Sequence, residues 1–497
     1  MTVSRSDVAR GAGLAGLARM GALVEALAQP LFTWLFGLAA YGVYVVLWGA
    51  INLLSNILDL SMPAALQRVV PAASDQDAHA AVKLGVIVAV VPAACVAVLI
   101  ALNAETLAGF VAAAPEDRAA LPFAIALFAP ALPLWTFVEV ATAAARARRA
   151  FGPEIRLRIF WEQIARILFA LGFFALGAGS TGLVAAHLCS LALTAALCVR
   201  LLGRYYSLPL LLRTPIKGEL ARDLLTTGIA LLPATIGRRL LIDAPPLVLN
   251  LMLAGTRGAV AAGLFEIARK ISTVPLIVRQ AFQYVMAPLS SAQARADRSA
   301  IGPLYRFAAR VSTALVVPLS GLLIFAGADI LSLYRPEAAA ALPVLTLLVA
   351  ARAAEAVVGP ATPIVEMVGH RLLPLFNSLV AAALWAALAW ALVPTQGAIG
   401  MAIAVSAATL AAAYLATLEL RISDRLSPFD RRLLGALALG LAGVALMAGA
   451  EALTSGPARF ASVLLLWTAT SWLTLRYGLG HADREALGGF ARKLRLI

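Results

Sequence analysis

Six basic residues, Arg238, Arg239, Arg269, Lys270, Arg279 and Arg352, interrupt stretches of chain that are otherwise almost wholly apolar. A cation at the centre of a bilayer costs at least about 2.5 kcal/mol on insertion scales, so such residues face the protein interior and pair or bind something. Arginine holds phosphate oxygens in a bidentate fork and stays charged. A surplus of interior cations is therefore the chemistry for gripping a polyanionic head group such as a pyrophosphate. Three carboxylates in similar surroundings, Glu25, Asp243 and Glu266, are the candidates for taking up a coupling proton or cation; Glu25 lies five residues before Pro30 and has no helical partner. The opposing reading is that Arg239 with Asp243, Glu266 with Lys270, and Arg352 with Glu355 are i,i+4 or i,i+3 pairs that only neutralise one another. That reading leaves Arg238, Arg269 and Arg279 without helical partners.

A second constellation lies in FGPEIRLRIFWEQIARILFALGFF, residues 151–174. Gly152 and Pro153 make a helix start, with Pro at a position where its missing N–H costs nothing. Glu154, Arg158, Glu162 and Arg166 follow at intervals of four with alternating sign, a ladder on one helix face that cannot look at lipid. Its four charges cancel, so a structural seam fits it better than a substrate contact. Arg19 lies near enough to the inner surface to snorkel.

These residues need elements to hold them, and composition says which. Of 497 residues 62% are hydrophobic and 13% charged, and the mean hydropathy is +0.89. A soluble domain of this size carries about 25% charged residues, so the chain is an integral membrane protein. Long apolar runs rule out a transmembrane β-barrel, whose strands are about ten residues long and alternate. Segments of the roughly 20 residues needed to cross a bilayer fall near 13–36, 41–60, 82–103, 119–143, 158–178, 181–203, 226–252, 258–289, 304–326, 341–366, 372–393, 397–420, 433–453 and 459–478. The expected fold is all-α with fourteen transmembrane helices. Loop charge checks this count, because short cytoplasmic loops are rich in Lys and Arg. With the N-terminus inside, only Arg118, Arg257, Arg335 and Arg459 fall in outer loops, and the alternation survives every segment. Both termini are then expected in the cytoplasm. At about 1.5 Å per residue, Arg238, Arg239, Arg269 and Lys270 lie near the midplane, roughly 17 to 20 Å in.

The longest inner connector divides the chain, and the segments on either side of it carry a faint repeat. The expected organisation is a lobe over 1–204, a connector over 205–225, a lobe over 226–421, two further helices over 422–480 and a cytoplasmic tail over 481–497: two pseudo-symmetric six-helix lobes in parallel repeat plus two C-terminal helices. No cofactor is expected. Gly11, Gly13 and Gly16 spell G-x-G-x-x-G, but no strand precedes them and no βαβ unit follows. There is no Walker A sequence, so no ATP hydrolysis by this chain. Cys95, Cys189 and Cys198 and the four histidines have no metal or redox spacing, and for His187, inside a span, a helix-packing role is the better reading. Ahead of the first long segment there is no cleavable signal, so that span is expected to remain.

With fourteen spans, LFGLAAYGVYVVLWGAINLLSNILDLSMPAALQR after the first span and GLFEIARKIS…MAPLSS in the eighth, the chain resembles the polysaccharide exporters and O-antigen repeat-unit flippases of the multidrug/oligosaccharidyl-lipid/polysaccharide (MOP) superfamily. The resemblance implies flipping of undecaprenyl-pyrophosphate-linked oligosaccharide from the cytoplasmic to the periplasmic leaflet of the bacterial inner membrane, for exopolysaccharide or O-antigen synthesis. It implies alternating access around a cationic lumen lined by the first, second, seventh and eighth segments. The partners it implies are the lipid-linked glycan, membrane lipids and polysaccharide polymerase or export machinery, with no nucleic acid. The lipid II flippases share this plan, but their arginine-rich opening is missing here, which lowers peptidoglycan precursor as cargo. Drug antiporters of the superfamily, cation- or proton-coupled, usually have twelve spans. Membrane polysaccharide polymerases and ligases resemble the chain in composition but carry a long periplasmic loop with catalytic Arg or His, and no outer loop here is long enough. The expectation is a transporter and not an enzyme.

Overall fold

A computed structural model describes residues 21–148, 150, 155–278, 301–368 and 372–496, and every regular element among them is helical. Nine helices among the described residues are long and apolar enough to cross a membrane, and a tenth span would be a helix bent by 49° between Gly218–Gly237 and Arg239–Met252. The protein is thus a multi-pass, all-helical membrane protein. The helices fall where the apolar runs place them: residues 397–420 are expected as a span, and the helix is Ala398–Ser423. Contacts group the chain into two compact units, Val24–Glu266 and one built on Ile267–Ile497.

The first unit contains α1 (Gly21–Phe36), α2 (Leu38–Leu58), the short α3 (Met62–Val69), α4 (Asp75–Leu102), α5 (Leu121–Ala147), α6 (Glu162–Ala175), α7 (Thr181–Tyr205), α8 (Leu208–Arg213), α9 (Gly218–Met252) and the greater part of α10 (Gly255–Ile271). Starts and stops follow local chemistry. Ser74 caps α4 by accepting the Asp77 N–H at 3.1 Å, and Asp75 and Asp77 sit in its first turn, where the helix dipole favours them. Pro233, Pro245 and Pro246 lie inside α9, and each removes a backbone donor from the helix. The connector is bound to the start of α4: Lys83 donates to the Leu212 carbonyl at 2.8 Å, and His79 Nε2 accepts the Ser207 N–H at 3.0 Å.

Helix α2 is the spine of this unit, packing on α9, on α10 and on α5. It comes close because its contact positions are glycines: a Cβ on Gly49 would stand 2.9 Å from the Asp243 carbonyl oxygen, and one on Gly42 would overlap the Ala259 carbonyl. At its far end α2 stops at Leu58 and the chain turns through Leu60 and Ser61, both in the left-handed region (φ 49° and 56°), before α3 begins.

The second unit contains α11 (Ile301–Phe325), α12 (Pro336–Val357), α13 (Ala361–Val368), α14 (Leu373–Gln396), α15 (Ala398–Ser423), α16 (Arg431–Leu453) and α17 (Gly456–Leu473). Its C-terminal residues fold back as α18 (His481–Ala486) and α19 (Gly489–Lys493), placing Ala486, Ala491 and Leu496 in one core with Ile301, Tyr305, Ile364 and Leu420. Of the expected tail, Asp483, Ala486, Ala491 and Leu496 are therefore buried in this unit.

Candidate functional site

Helix α9 carries Arg238 at its bend and Arg239 just past it. Arg239 is 37% exposed and lies 3.8 Å from the buried Asp243 one turn on. On α12, Arg352 donates to Glu355 at 2.9 Å. These two are the i,i+4 and i,i+3 pairs expected from their spacing. On α10, Glu266 is buried, and Arg269 and Lys270 are half-buried. Arg19, Glu154 and Arg279 lie outside the described residues, as do the side chains of Glu25, on α1, and Arg238.

The expected four-charge ladder takes a different form over its described part. Residues Ile155–Trp161 form a π-helical segment, and its i→i+5 phase turns Arg158 away from an even four-residue column. Arg158 reaches across to Glu139 on α5, at 2.9 Å, with its guanidinium 4.4 Å over the Trp135 ring. Glu162 and Arg166 keep the expected spacing and pair at 2.6 Å, both buried.

Two features of the first unit escape sequence reasoning. The Arg166 guanidinium donates to the Tyr44 hydroxyl at 3.4 Å, and that hydroxyl shares a hydrogen bond with His187 Nδ1, 3.0 Å away. His187 is enclosed by the rings of Tyr44, Trp48 and Phe128. Its packing role is real, but it is also the end of a polar relay from Glu162. Tyr44→Phe, which leaves His187 Nδ1 without its hydrogen-bond partner, is expected to cost about 1–3 kcal/mol, read as a lower unfolding temperature with normal membrane insertion.

The other feature is a group of charges at the end of α2. The Asp59 carboxylate is buried, accepts the Ser61 N–H at 2.7 Å and so holds the left-handed turn, while the Ser61 hydroxyl donates to Thr235 on α9 at 3.2 Å. The charges of Glu139 on α5 and Arg239 on α9 act on Asp59 as well. Glu139, a carboxylate inside the apolar run 119–143, offered a signal that the sequence reading did not use; Asp59, at the end of an apolar run, offered none.

Among the described side chains of this unit, Arg158, Arg166 and Arg239 each have a carboxylate within 4 Å. Such arginines can bind an anion only by exchanging one counter-ion for another. Arg239 is the most accessible of the three, and its contact is the loosest. Among the described residues no group of His, Cys, Asp and Glu could hold a metal ion.

No protein-family model and no curated protein matches the chain. Solved structures do. The lipid II flippase MurJ, in an inward closed conformation, superposes with a TM-score of 0.72 at 12% identity, over 93% of this chain and 97% of that one. A MOP superfamily transporter from Pyrococcus furiosus gives 0.62 at 15% identity, over 85% and 96%. An inward-facing multidrug resistance MATE family transporter of the MOP superfamily gives 0.63 at 15%, over 85% and 94%. At these identities the likeness is one of fold, and the fold is that of MOP superfamily transporters.

Proposed function

We propose that this chain is a flippase that carries undecaprenyl-pyrophosphate-linked oligosaccharide repeat units from the cytoplasmic to the periplasmic leaflet by alternating access, for exopolysaccharide or O-antigen synthesis, making and breaking no covalent bond in its cargo. It would do so with fourteen crossings of the bacterial inner membrane, in two six-helix lobes plus two terminal helices with both termini in the cytoplasm, handing its cargo to a polymerase. What supports the reading is the basic residues that the sequence sets in apolar stretches, Arg239, Arg269, Lys270 and Arg352, together with a fold like that of a lipid II flippase. A diphosphate ester needs several such donors at once, and a neutral or cationic drug needs none. Coverage supports the same choice: the MATE transporter accounts for 85% of this chain against 93% for the flippase. A cation- or proton-coupled drug antiporter is the second reading, favoured by the same MATE likeness and by buried Asp243 and Glu266.

The deciding experiment is the lipid-linked sugar pool of cells lacking the protein, identified by mass spectrometry and assigned to a leaflet. A complete repeat unit on undecaprenyl pyrophosphate, facing the cytoplasm, is the expected result. An outward-facing pool of unpolymerised units would point to a polymerase or ligase, and an unchanged pool to the antiporter. In the same cells Arg238→Ala, Arg269→Ala and Arg279→Ala are each expected to reach the membrane and to lower glycan export about tenfold or more, the value of one charge-assisted hydrogen bond. Near-normal export in all three would sink the cationic grip.

A further inference from the structure

The C-terminal residues fold against the end of a membrane helix. Helix α16 is one of those long and apolar enough to cross, and its apolar run begins directly after Arg431 and Arg432, which marks the level of the bilayer boundary. Helix α17 packs back along it in the opposite direction. A Cβ on Gly443 would overlap Thr470, one on Gly478 would stand 2.8 Å from Ala436, and one on Gly480 would overlap the Arg432 guanidinium, so the chain leaves α17 where α16 enters the membrane. At that level the Trp472 indole N–H donates to the Leu494 carbonyl at 3.0 Å, and the Trp472 ring stands edge-on to Tyr477 with centroids 6.2 Å apart. The indole thereby ties Arg492, Lys493 and Arg495 to the end of α17. All three are exposed, as are Trp472, Tyr477 and Leu494. The nearby carboxylates are engaged elsewhere, Asp483 and Asp430 with Arg310 and Glu485 with His481.

The last turn carries a further sign of use. Helix α19 ends in a Schellman arrangement: the Leu496 N–H donates to the Ala491 carbonyl at 2.9 Å and the Arg495 N–H to the Arg492 carbonyl at 3.1 Å, with Leu496 and Ala491 in one core. Arg495 therefore takes the left-handed position (φ 53°) that glycine fills with least strain. Folding gains nothing from a charged side chain there. We infer that Arg492, Lys493 and Arg495, with Trp472, Tyr477 and Leu494 beside them, form a binding surface for the head groups of acidic phospholipids. The rings and the leucine sit at the interface, where amphipathic aromatics settle, and the three cations meet the lipid phosphates. A lipid fits this surface better than an acidic protein segment does, because the cations are held at the bilayer boundary beside exposed apolar groups. The inference is independent of the cargo, and either leaflet could supply the ligand.

Trp472 is itself the reporter for the test. The full chain is placed in phosphatidylcholine nanodiscs with a rising fraction of acyl-brominated phosphatidylglycerol, and the Trp472 part of the fluorescence is taken as the difference from Trp472→Phe. Brominated phosphatidylcholine is the neutral comparison. Wild type is expected to be quenched at a lower fraction of the acidic lipid than of the neutral one. In Arg492→Gln/Lys493→Gln/Arg495→Gln that preference is expected to fall about tenfold or more, at about fivefold for each charge at a membrane surface. It is also expected to vanish for the wild type in about 1 M salt, which screens charges beyond about 3 Å. Equal quenching by the two lipids in the wild type would overturn the inference and leave the basic surface to an acidic protein partner. An unchanged preference in the triple variant would overturn it as well, by placing the acidic lipid on other cations. Arg495→Gly guards against a folding defect. It suits the left-handed turn, so it is expected to melt at or above the wild-type temperature while its preference drops about fivefold. An unchanged preference there would remove Arg495 from the surface.

Discussion

Asp483→Ala is expected to lower the stability of the second unit by about 3–5 kcal/mol, the cost of removing one partner from a buried ion pair. Arg310 enters the interior from α11 with its side chain 5% exposed, and its guanidinium meets Asp483 at 2.9 Å and Asp430 at 3.7 Å. Asp483 is fully buried on α18, and Asp430 is the N-cap of α16, accepting the Leu433 N–H at 2.8 Å. Three segments far apart in sequence are thus tied at one guanidinium. Without Asp483 the cation stays in a low-dielectric interior and leans on the longer contact, while the helix that inserts Ala486 into the core loses its anchor. The double variant Arg310→Met/Asp483→Leu is expected to recover most of the loss, since a buried pair replaced by apolar groups of similar size is often neutral. Glu485→Ala sets the scale: its contact with His481 is solvent-exposed on both sides, and its removal is expected to change little. Thermal unfolding in nanodiscs reads all three. An Asp483→Ala protein that melts with the wild type would mean that α18 and α19 are not part of the folded core.

The same region marks where sequence reasoning stopped. Residues 481–497 hold Arg484, Arg492, Lys493 and Arg495 and look like a solvated tail, because nothing local says that Asp483 has a partner on a helix more than 170 residues earlier. Helices such as α4 and α15 were legible for the opposite reason: the length of an apolar run is a local property, and the bilayer fixes how long it must be. Pairs within one helix could also be read from spacing, as with Glu162 and Arg166, Arg239 and Asp243, and Arg352 and Glu355. Pairing between helices could not. Arg158 looks like a rung of a four-residue ladder until the π-helical segment turns it toward Glu139, and the phase of such a segment is set by packing rather than composition. Asp59 is the same lesson at the candidate site. A carboxylate at the end of an apolar run reads as a helix terminus, and only the turn onto α9 buries it.

Gly42→Leu is expected to lower glycan export about tenfold or more and to reduce the unfolding temperature, because it places a side chain where two backbones already touch. A Cβ on Gly42 would overlap the Ala259 carbonyl of α10, and a Cβ on the facing Gly263 would stand 3.1 Å from the Leu38 carbonyl oxygen. The obstruction is backbone on both sides, so no rotamer change relieves it, and α2 and α10 must separate. Overpacking of this kind costs about 1–3 kcal/mol where side chains can adjust, and this contact has none to move. Between membrane helices the loss spreads, since lipid offers no hydrophobic force to hold them together and close packing of small residues is the main attraction. The functional effect follows from position. Further along α2, Gly49 packs on the Asp243 carbonyl, and beyond its end the Ser61 hydroxyl, on the turn that Asp59 holds, bonds Thr235 of α9. A wedge at Gly42 therefore tilts the helix that carries one side of the charged group past the helix that carries the other. Gly172→Ala on α6 and Gly449→Ala on α16 are the controls: a Cβ there meets nothing within 4 Å, so both are expected to export normally and to melt at or slightly above the wild-type temperature. Export and unfolding of Gly42→Leu indistinguishable from these controls would show that the α2–α10 seam does not set the geometry of the site.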